Sequence, residues 1–353
     1  MTTVSAQTRT PVLVASNLNK DFRLSRGASL RAVRDVSLTL YRGAVVALVG
    51  ESGSGKSTVA KLLAGQEQPT AGAITLDDQP VHVRSRRAFR QYKSEVQLVF
   101  QDPFASLNPV HTVRYHVERP LRLHRRELSG EQVHQQAAAL MEQVHLTPPG
   151  TFLSKYPHEL SGGQRQRVSF ARALAAQPRV LLADEPVSML DVSIRLEMLS
   201  LLDDLRQRFQ LALLYITHDI ASARYFADEI LVMYAGQIVE RGPAESITQE
   251  PAHPYTQLLV ASAPDPDNLG GALRDGGNGV VRASPVSSGA AVRDAAENGC
   301  PFSPRCPYAT DHCRAEAPPL LPLSASRTAA CWRLDVAAPT LYASREGGED
   351  PTS

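Results

Sequence analysis

The run Gly50-Glu51-Ser52-Gly53-Ser54-Gly55-Lys56-Ser57 combines residue types and spacing suited to holding phosphate. It lies between an apolar segment, Val45 to Val49, and a stretch of helical spacing from Lys56 to Ala64 that Gly65 stops. Glycine lets the backbone curl until several N–H groups point the same way as the helix N-terminus, an anion site made of partial positive charge. Lys56 adds a full charge for the β/γ-phosphates, Ser57 offers a hydroxyl to Mg2+, a cation that favours hard oxygen ligands, and Thr58 supports the neighbouring phosphate.

Two further groups suit the same chemistry. Val180-Leu181-Leu182-Ala183-Asp184-Glu185 reads as a buried strand that delivers two carboxylates at its C-terminal end, where open parallel sheets place ligands. Asp184 then suits the metal ion, through a coordinated water, and Glu185 suits the water that attacks a γ-phosphate. Leu160-Ser161-Gly162-Gly163-Gln164 opens a helix that runs to about Ala176, a second helix N-terminus open to an anion. One chain already has a complete phosphate grip, so a second one makes sense only with a second subunit.

These residues need a scaffold, and the chain supplies one by alternating short apolar strands with amphipathic helices, the pattern of an α/β sheet with helices on its faces. Arg179 to Asp184 and Ala212 to Thr217 are further buried strands. Ile194, Met198, Leu201, Leu205 and Phe209 recur at helical spacing and form one core-packing face. The region from Phe104 to His158, rich in Pro and His with a helical Gln132 to Val144, reads as an inserted helical subdomain. From Pro264 a Gly/Ala/Ser-rich run to Gly299 replaces the periodic pattern and reads as a linker.

All four cysteines lie beyond that break, at Cys300, Cys306, Cys313 and Cys331, among the stiffening residues Pro301, Pro304 and Pro307. Clustered thiols in a reducing compartment suggest a metal centre rather than disulfides. The spacings are wider than the tight pairs of structural zinc sites, which favours a [4Fe–4S] cluster, leaves zinc as the alternative, and leaves free thiols open as well. His312 beside Cys313 reads as an exposed residue.

The 353 residues allow about two domains. Their 37 basic and 36 acidic side chains give a net charge of +1, so no global field steers the chain toward nucleic acid or an anionic membrane. The local basic stretch Arg84, Arg86, Arg87, Arg90 and Lys93 reads as a solvated helix face, with Phe89 and Tyr92 packing inward, and nucleic acid is not an expected partner. Apolar runs end well short of the ~20 residues a membrane helix needs. Met1 to Ala6 lacks the basic and apolar stretches of a secretion signal, so a cytoplasmic chain is expected.

The phosphate-binding loop, Gln101, Leu160 to Gln164, Asp184-Glu185, Ser188-Met189-Leu190-Asp191 and His218 together resemble the ordered motif set of ABC-transporter ATPase subunits. The resemblance covers about residues 12–262 and implies an α/β P-loop NTPase fold of ABC ATPase type, with its helical subdomain at about 104–176. In that family two subunits stack head to tail and ATP lies between the loop of one and the Ser-Gly-Gly-Gln signature of the other. By resemblance, Phe22 stacks on adenine, residues Gly50 to Thr58 with Ser161, Gly162, Gly163, Gln164 and Asp191 surround the nucleotide, and Gln101 meets Mg2+ together with Ser57 and Asp184. Lys56, Gln101, Glu185 and His218 then form the catalytic group, with His218 sensing the γ-phosphate.

Val99 to Pro109, Asp184 to Ser188, His253-Pro254-Tyr255-Thr256 and the cysteine module further resemble the oligopeptide, dipeptide and nickel importer ATPases, more the F-type than the D-type subunit. Met189 departs from the alanine usual in that loop. The resemblance implies a linker at 263–297, a Cys-rich C-terminal module at 298–335 and a flexible tail at 336–353. It also implies a second ATPase subunit, identical or homologous, two membrane permeases, an extracytoplasmic substrate-binding protein, and a peripheral place on the cytoplasmic face of the membrane. Peptide is the expected cargo, with nickel or oligosaccharide as alternatives. A soluble ABC ATPase acting on ribosomes or DNA is disfavoured because the chain has neither a second cassette nor a long coiled-coil insertion.

Overall fold

The structure, a computed structural model, describes residues 10–23, 29–81, 85–102, 106–263 and 298–343. The readings made at Met1 to Ala6, at Arg84, at Pro103, Phe104 and Ala105, in the linker from 264 to 297, and in the tail from 344 onward lie outside these residues. Contacts gather into two compact units. Of the described residues, one holds those up to Asp21, those between Asp35 and Val46 and those between Ser57 and Ile216; the other holds those between Phe22 and Arg34, Ala47–Lys56 and those from Thr217 onward.

In the first unit, strands β1 (Pro11–Arg23), β2 (Ser29–Tyr41), β4 (Ala71–Leu76) and β5 (Gln79–Pro80) make a sheet in the order β2-β1-β4-β5, although the end of β1 and the start of β2 cluster with the second unit. Strand β3 (Val45–Val49) begins here and is buried at every position. It leads the order β3-β8-β7-β6, with β6 (Val96–Val99), β7 (Val180–Asp184) and β8 (Ala212–Thr217). The pairs β6/β7 and β7/β8 are parallel, with Val99 opposite Ala183 and Asp184 opposite Ile216. Unbroken apolar runs such as Val180-Leu181-Leu182-Ala183 suit such strands because both faces are covered.

Helix α1 (Lys56–Leu63) ends at Gly65, whose φ of 65° is the left-handed conformation that glycine accepts as a helix stop. Helix α2 (Arg86–Glu95) buries Tyr92, but Phe89 is exposed, with the Lys93 ammonium 5.4 Å over its ring. The sequence expected both aromatics in the core; the helix turns only one of them inward.

The inserted helical region is present as α3 (Val113–His124), α4 (Gly130–Gln143), α5 (Pro149–Leu153) and α6 (Gly162–Leu174). Two of these begin with reciprocal caps, Ser129 with Gln132 and Ser161 with Gln164. Helix α7 (Val192–Phe209) buries Met198, Leu201 and Leu205 as expected, but its ends do not follow: Ile194 is half-buried and Phe209 is exposed.

In the second unit the order continues from β3 through β9 (Glu229–Tyr234), β10 (Gln237–Pro243), β12 (Arg327–Ala329) and β11 (Leu321–Ser324). Strands β9 and β10 form an antiparallel hairpin across Ala235-Gly236, both at positive φ. The Cys-rich segment adds to this sheet, since β12 pairs with β10 at Glu240↔Ala329 and Arg241↔Thr328. Around it lie α8 (Ile220–Phe226), α9 (Ala244–Gln249), α10 (Pro254–Ser262) and α11 (Asp311–Ala315). The chain from 336 was expected to be a flexible tail, yet its first residues are ordered. Helices α12 (Leu334–Ala337) and α13 (Pro339–Ala343) follow, and Leu334, Ala337 and Ala338 join an apolar cluster with Ala252, Leu323, Ala329 and Cys331.

A buried ion pair ties this segment down. Glu240 is 0% exposed and accepts hydrogen bonds from the Ala252 and His253 N–H groups, both at 2.9 Å, and from Arg327 at 3.2 Å. Arg327 also donates to the Glu250 carbonyl at 2.6 Å.

Candidate active site

The phosphate-binding loop grows from β3, and close packing dictates its glycines. A Cβ at Gly50 would sit 2.2 Å from the Met233 carbonyl oxygen, and one at Gly55, where φ is 105°, would sit 2.4 Å from that of Ala32. Neither position accepts a side chain without moving backbone. Lys56 is buried, and its ammonium donates to the Gly50 carbonyl at 2.7 Å and the Glu51 carbonyl at 2.8 Å. The cation is thereby held across the loop's own opening rather than out in solvent.

In the other unit, β7 brings Asp184 and Glu185 to its C-terminal end as the sequence implied. The Ser57 hydroxyl lies 3.2 Å from Asp184 Oδ1, so the two oxygen groups read as magnesium ligands adjoin each other. Glu185 N–H donates to the Ile216 carbonyl at 2.9 Å, and its φ of 45° is unusual for a residue with a side chain. Its Oε2 accepts a 3.0 Å hydrogen bond from Gln101 Nε2. That pairing, between residues 84 apart in sequence, holds one carboxylate oxygen of Glu185.

Ser161 caps α6: its hydroxyl accepts from Gln164 N–H at 3.2 Å, while Gln164 Oε1 accepts from Ser161 N–H at 3.0 Å. A hydroxyl that accepts in this way keeps its own proton to donate. Ser161 is exposed, Gly162 faces Leu190 just before α7, and Gly163 faces Ile194 in the first turn of α7. Asp191 is the N-cap position of α7, exposed and without a side-chain cap bond, and Met189 before it is 59% exposed. In the second unit His218 is exposed just after β8, and Phe22 is half-buried near the end of β1.

The sequence did not point to the groups that hold Glu51. Arg305 Nη1 and Nη2 donate to Glu51 Oε2 and Oε1 at 2.9 and 3.0 Å, and Glu51 N–H donates to the Tyr255 hydroxyl at 2.8 Å. Neither Arg305 nor Tyr255 forms a spacing pattern with the loop, and the only sequence signal was that each lies inside a stretch singled out for other reasons.

The four cysteines, all free thiols, line one small pocket with His253, Phe302 and Trp332. Burial raises the thiols of Cys300 and Cys306 above their ordinary value and pushes Cys331 up to about 12. Among the described residues, however, no three His, Cys, Asp or Glu side chains stand in an arrangement that could hold a metal ion. The expected [4Fe–4S] centre at Cys300, Cys306, Cys313 and Cys331, and zinc as its alternative, are therefore not supported: the thiols share a pocket without converging as ligands. His312 is exposed as expected, with its ring 4.8 Å from Trp332.

A glycine-rich loop between a buried strand and a helix, in a chain that also carries paired carboxylates at the end of a parallel strand, defines a nucleotide-hydrolysing cassette. The family described as ABC transporter matches residues 33–188, and the oligopeptide/dipeptide transporter C-terminal region matches residues 239–313. A di/tripeptide transport ATP-binding protein of Pseudomonas aeruginosa, DppF, is 41% identical over 327 residues, covering 91% of this chain and 97% of that protein. The oligopeptide transport ATP-binding protein OppF of Haemophilus influenzae is 35% identical over 321 residues, covering 90% and 92%. Among solved structures, cbiO1 of Clostridium perfringens, part of an ABC transporter complex, aligns with a TM-score of 0.60 at 27% identity, over 68% of this chain and 91% of its own. A dimeric cassette in a post-hydrolysis state with ADP and Pi aligns with a TM-score of 0.60 at 29% identity, over 66% and 98%. The chain belongs to the ATP-binding subunits of ABC transporters and is an ATPase of that family. No helix among the described residues is long and apolar enough to cross a membrane.

Proposed function

We propose that the chain is the ATP-hydrolysing subunit of a peptide importer. It works with a second ATPase subunit on the cytoplasmic face of a membrane, against two permease subunits that a substrate-binding protein supplies. The observation that carries this is 41% identity along 97% of a di/tripeptide transport ATP-binding protein, together with the oligopeptide/dipeptide C-terminal match. The cassette is read as residues 12–262 and the Cys-rich module as 298–335.

In this reading Phe22, the loop from Gly50 to Thr58 and His218 serve one nucleotide, and Ser161, Gly162, Gly163, Gln164 and Asp191 serve the nucleotide on the partner subunit's loop. The Ser57 and Asp184 oxygens, 3.2 Å apart, with the Gln101 amide oxygen, are hard donors of the kind magnesium takes. A magnesium ion held by these residues would supply positive charge to offset that of the phosphates. Lys56 exchanges its two loop carbonyls for phosphate oxygens. Glu185, oriented by Gln101, accepts the proton of the water that attacks the γ-phosphate. His218 donates to a γ-phosphate oxygen, and Ser161 donates its remaining hydroxyl proton across the subunit boundary.

A metal group in the four-thiol pocket is no part of this reading. Iron, zinc and acid-labile sulfide analysis of anaerobically prepared protein tests that point, and about four irons per chain would restore the iron–sulfur assignment. For the transport assignment, the tagged chain is captured from membranes in mild detergent and its partners are identified by mass spectrometry. Two permeases and a second ATPase are expected; ribosomal or DNA-repair proteins without permeases would remove the transport assignment and leave the ATPase chemistry.

A further inference from the structure

The Cys-rich segment carries a charged group that the hydrolysis scheme does not use. Arg305 forks onto Glu51, the second residue of the phosphate-binding loop, with its two terminal nitrogens 2.9 and 3.0 Å from the two carboxylate oxygens. Bidentate guanidinium–carboxylate pairs are among the stronger and more directional polar contacts. The guanidinium carbon also lies 5.8 Å from the centre of the Tyr234 ring and 5.5 Å from that of Phe302, so two aromatic faces fix its approach. The pair is half-sheltered, with side-chain exposures of 18% for Arg305 and 36% for Glu51.

The rest of Glu51 is also held. Its N–H donates to the Tyr255 hydroxyl at 2.8 Å, and its carbonyl accepts from the Lys56 ammonium at 2.8 Å and from Ser54 N–H at 3.2 Å. Tyr255 is fully buried and packs on Tyr234 and Phe302 with ring centres 4.6 and 5.5 Å apart. Arg305 itself is set by a chain of tight turns: Ser303 N–H donates to the Cys300 carbonyl at 2.9 Å and Arg305 N–H to the Phe302 carbonyl at 3.0 Å.

A carboxylate in a loop that receives polyanionic phosphate works against binding unless its charge is offset and its direction fixed. Arg305 does both. We propose that Arg305 is a positioning residue for the phosphate-binding loop: by holding Glu51 it sets the loop's affinity for ATP, so that the C-terminal module tunes nucleotide binding. The proposal rests on the reading of this loop as the ATP site. It assigns the module a task at the catalytic unit that needs no metal in the thiol pocket.

The test uses the full chain, with Mg-ATP as the probe, in equilibrium binding and steady-state hydrolysis. Arg305→Ala is expected to raise KM and Kd for ATP about five- to tenfold and to change kcat by less than about twofold. Arg305→Lys keeps the charge without the fork and is expected to raise KM about threefold. Adding Glu51→Gln to Arg305→Ala removes the carboxylate left unpaired and is expected to lower KM at least about threefold from its value in Arg305→Ala. A merely structural arginine would give additive losses with no such relief.

An unchanged KM in Arg305→Ala, or no relief in the double variant, overturns the proposal. Should Arg305→Ala not fold, Arg305→Lys with and without Glu51→Gln is read in the same way, and an unchanged KM or absent relief overturns it equally. If wild type neither binds nor hydrolyses Mg-ATP, or Lys56→Ala binds it as well as wild type, the reading of the loop as the ATP site has failed and the proposal falls with it.

Discussion

Gln101 donates a 3.0 Å hydrogen bond to one carboxylate oxygen of Glu185, joining the second residue after strand β6 to the first residue after strand β7. The two strands are parallel neighbours, in register from Val96↔Val180 to Val99↔Ala183, so both chains leave the sheet at the same edge and at the same height. Pairing at the strand ends is thus what aims the glutamate. If that contact orients the base, Gln101→Ala is expected to lower kcat about tenfold or more while ATP affinity measured at equilibrium stays near wild type. Equal losses in affinity and turnover would assign Gln101 to binding instead.

Lys56 spans the loop by donating to Gly50 and Glu51 carbonyls, at 2.7 and 2.8 Å. Lys56→Ala is expected to weaken Mg-ATP binding at least about tenfold, since a sheltered charge facing phosphate is removed. Calorimetric titration of the full chain checks this, and an unchanged affinity would mean that the ammonium never leaves the carbonyls.

The Glu240–Arg327 pair is almost wholly out of water, with side-chain exposures of 0% and 6%. Removing one member leaves an uncompensated buried charge, so Arg327→Ala is expected to cost about 3 kcal/mol or more in urea unfolding. A loss below about 1 kcal/mol would indicate that water reaches the carboxylate once the guanidinium is gone.

His253 caps α10 by accepting the Tyr255 N–H on Nδ1 at 3.0 Å, and burial lowers its pKa from 6.5 to about 3. The folded chain therefore holds this imidazole neutral while the unfolded chain protonates it below pH 6.5. The stability it supports is whole above that pH and is lost progressively as pH falls toward the folded value. Between pH 7.5 and 5.5 wild type is expected to lose about 1 kcal/mol more than His253→Asn in urea unfolding. Parallel pH profiles for the two proteins would show that the imidazole is protonated in the folded state.

Much of the cassette was legible because its signals are local. Gly50 to Ser57, the run from Val180 to Glu185 and the Ser161–Gln164 cap each lie within a few residues of sequence, and each appears in the fold where its pattern placed it. Contacts that join distant positions were not legible. Nothing in residue spacing links Arg305 or Tyr255 to Glu51, or Arg327 to Glu240, because strand order and packing bring them together. Composition misled where it stood in for geometry: among the described residues the four clustered cysteines share a pocket but do not form a ligand set, and Ala337 and Ala338, in the stretch read as a tail, join Leu334 in an apolar cluster.

The central claim, that ATP hydrolysis at Glu185 drives peptide import, is tested most directly in proteoliposomes that carry the purified assembly, a binding protein loaded with labelled dipeptide, and ATP on the side facing this chain. Uptake in wild type is expected to require Mg-ATP and to stop in Glu185→Gln, which still binds ATP while turnover falls at least about a hundredfold. Peptide uptake that proceeds at the wild-type rate in Glu185→Gln, or without ATP, would contradict it.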